Sequence, residues 1–464
     1  MRFNPIISRR AFCLGTTALT LPRPLLAQSS LPTLTAREGT AQLAPADYPA
    51  TNVWGFEGQV PGPVLRFPQG ARLERRLVNE LLQPTSIHWH GIRIANAMDG
   101  VAGLTQAAIQ PGESFDYSFT LPDAGTYWYH SHNRSFEQVA RGLYGPLIID
   151  EPEAPDLDAD EIFLLDDWRL DPETAQITDD FGNFHDLSHA GRLGNLITTN
   201  GAFDATRTAS QHDRLRIRLI NASNARLMTL SLSGLEGWIM ALDGMPLETP
   251  QPADGELVLA PAQRMDLFVD VTAENGSEAF IAHRAPQGEW WAQVTWNVGA
   301  GSNARRPPPA PLPPNPMQDV PGHETARRFT LTMEGGAMGG MGSANYQGQT
   351  LSARDLAQSG QFWAFNSIVG RTEEPFLTAQ NGETIRILFR NETAFPHGMH
   401  LHGMHFREVL SDNSLGPMRD TLLLQRGEAR EVAFVAHNPG AWLLHCHMLG
   451  HAASGMNSWI EVSA

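Results

Sequence analysis

The chain has 464 residues, enough for about three domains at ~150 residues each. Hydrophobic residues make up 42% and charged residues 18%, which excludes a disordered chain, while 42 glycines and 33 prolines suit many short strands joined by turns. The net charge of −17 at pH 7 excludes nucleic acid and an anionic membrane surface as partners.

The N-terminus carries Arg2, Arg9, Arg10 and Arg23 with no acid through Ala27. Arg9-Arg10 precedes the apolar run Ala11–Pro22, about 12 residues long and too short to span a bilayer. A twin-arginine pair before such a run is a bacterial export address. Residues 1–27 are therefore expected to be a twin-arginine signal peptide, with Gln28 the first mature residue and a periplasmic destination. No other segment approaches a transmembrane span. Cys13 leaves with this signal, so Cys446 is the single thiol of the mature chain and no internal disulfide is expected. Its neighbours are His445 and His447.

A strand-like pattern recurs three times and ends each time in Asn: Ala71–Asn79, Asp213–Asn221 and Glu383–Asn391. Each alternates apolar and polar residues, as a half-buried strand does. The intervals are domain-sized, which predicts an all-β chain of three similar domains at 28–150, 161–303 and 327–464. Tyr144–Asp150 closes the first, the acidic segment Glu151–Asp160 links it to the second, and the Pro-rich stretch Pro307–Pro316 precedes the third. The Gly/Met-rich segment Gly335–Gly342 is expected to be a loop.

Four His-X-His triplets occur: His88/His90, His130/His132, His400/His402 and His445/His447. Seventeen histidines would give about 0.6 by chance. Residues i and i+2 of a strand point the same way, so each triplet presents two imidazoles side by side, and imidazole suits copper, zinc, iron or nickel. The first and third units carry two triplets each and the second none. Units one and three are expected to pack face to face and pool eight histidines, with unit two as a spacer. Alternation turns Cys446 the other way, toward His397, His451 and Met456. One thiolate, two imidazoles and a thioether form the ligand set of a blue-copper electron-transfer site. The remaining histidines (185, 189, 212, 283, 323, 405 and 437) are read as ordinary core or surface residues.

These motifs — His88-Trp-His90-Gly, His130-Ser-His132, His397-Gly-Met-His400-Leu-His402 and His445-Cys446-His447 through His451 to Met456 — resemble the multicopper oxidases, the family of laccases and bacterial cuprous oxidases. The resemblance spans nearly the whole mature chain and implies three cupredoxin-like β-sandwich domains. It implies four copper ions: type 1 on His397, Cys446, His451 and Met456; type 2 on His88 and His400; and a type 3 pair on His90, His130, His132, His402, His445 and His447. It further implies electron passage through Cys446 from a small reducing substrate to dioxygen, which becomes water. Asp99 resembles the family's proton-relay aspartate. Relatives often carry Glu directly after the last type 1 histidine, where this chain has Ala452, so protons are expected to take another route.

The donor is open between a phenol and a metal ion, Cu(I) included. Met333, Met338 and Met341 are candidate Cu(I) contacts, since thioethers favour Cu(I). Asp420 is placed on the donor side, near electron entry. A monomer without a membrane span is expected. The main alternative is a non-enzymatic periplasmic copper-binding or structural protein of the same fold, against which every ligand position is filled. A copper nitrite reductase would need fewer histidines, and a Cys-Met set is odd for zinc.

Overall fold

The structure, a computed structural model, describes residues 31–317 and 319–464; the expected signal peptide lies outside them. The described strands form three pairs of sheets that follow one another along the chain, with a small two-stranded sheet of Ser343–Tyr346 and Gln349–Ser352 beside the third pair. In the first pair, a four-stranded sheet centred on Thr33–Ala41 and Arg72–Asn79 faces another that runs from Leu65–Pro68 through Tyr144–Asp150 and Gly125–Ser131 to Ile87–His90. The second pair has six and five strands, with Arg214–Asn221 between Ala159–Trp168 and Arg264–Val271 in the larger sheet. The third repeats that size. Its six-stranded sheet holds Glu383–Asn391, and its five-stranded sheet lays Gly440–Cys446 beside His397–Leu401.

The repeated strand shows why the pattern recurs. In Arg214–Asn221, Leu215, Ile217 and Leu219 enter the apolar core of the second pair. The alternate residues face charge: Arg214 pairs with Asp270, Arg216 with Glu151 and Asp266, and Arg218 with Asp160. Two-residue periodicity thus separates an oil face from a salt face. The terminal asparagine does the same work in each unit. Asn79 Nδ2 donates to the carbonyls of Gln83 and Ile109, Asn221 Nδ2 to those of Arg226 and Leu259, and Asn391 Nδ2 to those of Phe395 and Gln425, all at 2.8–2.9 Å. Each Oδ1 accepts the backbone N–H two residues on at 3.0 Å. An amide side chain with two donors and an acceptor locks the loop that follows the strand.

Units one and three share one large apolar cluster, from Leu34 to Val462, while unit two has a core of its own. Among the described residues no helix is long and apolar enough to cross a membrane.

Candidate metal centres

The four triplets converge at the seam between units one and three. His88 lies opposite His130 on paired strands, and His400 lies opposite His445. Across the seam the His88 and His402 rings stack at 3.9 Å between centroids, and those of His90 and His400 at 3.8 Å. His132 is the one member that is not fully buried.

Their hydrogen bonds show which nitrogen is left over. The Nδ1 atoms of His88, His130, His400 and His445 donate to the carbonyls of Asp99, Ser131, Asp420 and Cys446 at 2.9–3.0 Å. His402 Nδ1 donates to both carboxylate oxygens of Asp99 at 3.1 Å. His90 is reversed, with Nε2 donating to Asp420 Oδ1 at 3.3 Å. What remains is Nε2 of His88, His130, His132 and His400, Nδ1 of His90, and both nitrogens of His447, all buried without a partner. Nε2 of His402 and Nε2 of His445 face one another at 3.2 Å. Buried acceptors of this kind are costly unless something binds them. Burial first, then neighbouring imidazoles, hold His130, His132, His402, His445 and His447 well below the ordinary imidazole range. Neutral lone pairs aimed at a common space fit several soft or borderline cations.

Two aspartates frame this cluster. Asp99 caps the short turn Asn96–Met98 and is fully buried; beyond His402, its Oδ1 lies 3.2 Å from His88 Nδ1. Asp420 was expected on the donor side, and the structure corrects this: it is 1% exposed and sits against His90 and His400 of the cluster. It occupies the junction just before the edge strand Thr421–Leu424, whose partner strand carries His400, so sheet pairing turns it inward. Burial works against its charge, yet the Arg264 guanidinium and His90 hold its carboxyl well below the usual range. Arg264 donates to both of its oxygens, at 2.9 and 2.5 Å. The same guanidinium reaches the carbonyls of Thr126 in unit one, at 3.3 Å, and Asp243 in unit two, at 2.9 Å. Gly91 belongs to this clamp. Its φ is +83°, and a Cβ there would fall 2.3 Å from Arg264 Nη2 and 2.6 Å from Asp420 Oδ2. Unit two is therefore more than a spacer, since its Arg264 ties all three units at the cluster.

The second centre lies across the sheet. His397 Nδ1 is 3.1 Å from His451 Nδ1, and Cys446 Sγ lies 3.5 and 3.8 Å from the two. His451 Nε2 donates to the His189 carbonyl at 2.7 Å, and His397 Nε2 meets Thr393 Oγ1 at 2.8 Å, so both Nδ1 lone pairs point inward. Met456 is fully buried; its carbonyl accepts from Cys446 N, and its own N–H donates to the His451 carbonyl. Burial pushes the Cys446 thiol up to about 12 and His451 down to about 4. A cation would be needed to make that thiol a thiolate. Trp363 covers the pair, its ring 5.1 Å from His397 and 4.3 Å from His451.

Of the three methionines, Met333 is corrected. It is fully buried in the strand Arg327–Gly335, where alternation with Leu331 drives it into the core. Met338 is 82% exposed, and the N–H of its neighbour Ala337 binds the Ser188 carbonyl, next to His189. Sequence reasoning missed Arg264, Thr393, Trp363 and the His189 carbonyl. No local pattern marks them, because they reach the centres only through domain docking or loop packing.

Comparison with known proteins decides the class. Multicopper oxidase family models match residues 38–154 and 345–464. Multicopper oxidase MmcO of Mycobacterium tuberculosis is 31% identical over 89% of this chain and 84% of its own length. The chain belongs to the multicopper oxidases. As a multicopper oxidase it is a copper-dependent oxidoreductase of three cupredoxin-like β-sandwich domains. Copper resistance protein A of Pseudomonas syringae is 27% identical over 98% of this chain and 99% of its own. Among solved structures, a multi-copper oxidase from Pseudomonas thermotolerans superposes with a TM-score of 0.80 at 33% identity, covering 93% of this chain and 98% of the other. Lac15 from a marine microbial metagenome superposes at 0.76 with 40% identity, covering 93% and 100%.

Proposed function

We propose that this multicopper oxidase passes electrons from a phenol or a metal ion, Cu(I) included, to dioxygen, and that it works in the periplasm as a monomer exported by the twin-arginine route. The assignment uses four coppers. Type 1 sits on His397, Cys446, His451 and Met456, type 2 on His88 and His400, and the type 3 pair on His90, His130, His132, His402, His445 and His447. The domains run 28–150, 161–303 and 327–464. The observation that carries the reading is the set of orphaned nitrogens at the seam, those of His447 lying one peptide bond from Cys446 of the other centre.

Bound copper supplies the one-electron steps at the thiolate pocket and the four-electron reduction at the cluster. The chain's own part is to hold and to wire. Asp420 keeps His90 protonated at Nε2, leaving Nδ1 to ligate, and Arg264 keeps Asp420 in place. Carbonyls fix the tautomers of His88, His130, His400, His445 and His451, and the Asp99 carboxylate fixes that of His402. Asp99, bonded only to imidazoles, holds or releases a proton at Oδ1 or Oδ2 beside His402. Cys446 joins the two centres through its own peptide bonds. Burial of both centres excludes bulk water. Met338, exposed next to the helix that leads to His189, favours a soft donor ion.

The test is oxygen uptake by the copper-loaded protein with Cu(I) and a methoxyphenol in parallel, corrected for spontaneous Cu(I) oxidation. Faster uptake with Cu(I) assigns a cuprous oxidase. Faster uptake with the phenol assigns a laccase-like enzyme. No uptake with either donor, with copper bound, overturns the oxidase in favour of a copper-binding protein.

A further inference from the structure

A surface cavity of 210 Å³ reaches the cluster side of unit three, with His132 and His445 in its lining. Its other polar walls are Arg134, Arg371, Ser135 and Asn457, and among the described residues none that lines it is acidic. That composition is unusual in a chain with 50 acids against 33 Lys and Arg. Arg134 pairs with Glu137, but Arg371 forms no ion pair among the described residues. Its charge also acts on His445. An exposed guanidinium without an ion pair, beside a cavity of donors, is a receptor for a planar anion, because its fork matches two oxygens at once. The cavity has room for an anion of a few heavy atoms with its hydration.

We propose that this cavity binds one small carboxylate, gripped by Arg371 with help from Arg134 and Asn457, at the mouth of the eight-histidine cluster. Arg371, Arg134 and Asn457 lie outside the ligand set, although His132 and His445 share the cavity wall, so the grip can be tested apart from the donor and from dioxygen reduction. Ala452 lines the cavity, and a longer acidic side chain there would fill it with a tethered carboxylate.

Titration calorimetry of the copper-loaded protein with sodium formate tests this. The expected result is one saturable site per chain, at least ~10-fold weaker in Arg371→Ala and lost in Ala452→Glu, with Arg371→Lys in between. The copper absorption spectrum, unchanged in Arg371→Ala, shows that the centres remain intact. Chloride should displace formate only at ~10-fold or higher excess, because it cannot use the fork. Formate binding that survives both Arg371→Ala and Ala452→Glu would assign it to copper and overturn the proposal. So would the absence of a saturable site, or chloride as potent as formate.

Discussion

The thiolate pocket and the eight-histidine cluster are held in different ways. His397, Cys446, His451 and Met456 all come from unit three, and unit two adds the His189 carbonyl behind His451 and the Leu187 carbonyl behind Trp363. The cluster instead draws four histidines from each side of a seam and takes its frame from Asp99 of unit one, Asp420 of unit three and Arg264 of unit two. A pocket inside one sandwich takes its four side chains from that sandwich. A cluster on a seam needs the docking to be right to within the length of a hydrogen bond.

That contrast can be broken by substitution. Cys446→Ser should abolish turnover with every donor and cost one copper per chain by metal analysis, while the cluster still fills; loss of cluster copper as well would show that the two centres are not separable. Arg264→Met leaves Asp420 charged, buried and unpaired, which should cost about 3–5 kcal/mol in denaturant unfolding. Here the cluster should lose copper while the pocket keeps its own, and equal loss from both would refute a seam-specific clamp. Asp99→Asn removes the one framing carboxylate without an arginine. It should slow oxygen consumption by ~10²-fold in stopped-flow reoxidation while the pocket reduces normally; unchanged reoxidation would sink the proton-holding role. Smallest is the paired change Met338→Ala and Met341→Ala, which should raise the Cu(I) concentration needed for half-maximal uptake a few-fold and spare phenol oxidation. An unaltered Cu(I) response would make the loop incidental.

The convergence of these side chains was legible because strand alternation is a strict rule. A His-X-His triplet must show two rings on one face, and Cys446 between two such rings must show the other. The asparagine ends were legible for a similar reason, since each closes a loop of its own unit. Asp420 was not, because its direction depends on which strand Thr421–Leu424 pairs with, and nothing near residue 420 encodes that. Arg264 was hidden by the symmetry of its strand, Arg264–Val271, which is buried throughout and reads like any core strand of a spacer. Met333 was misplaced because it was grouped with Met338 and Met341 of the Gly/Met segment that follows its strand.

The three asparagine locks also set an order of events. Their bonds span 30, 38 and 34 residues, whereas Arg264 reaches Asp420 over 156, His402 reaches Asp99 over 303 and His90 reaches Asp420 over 330. Short closures form early and distant ones late. By that measure each sandwich seals its own loop before the seam between units one and three closes around the histidine cage.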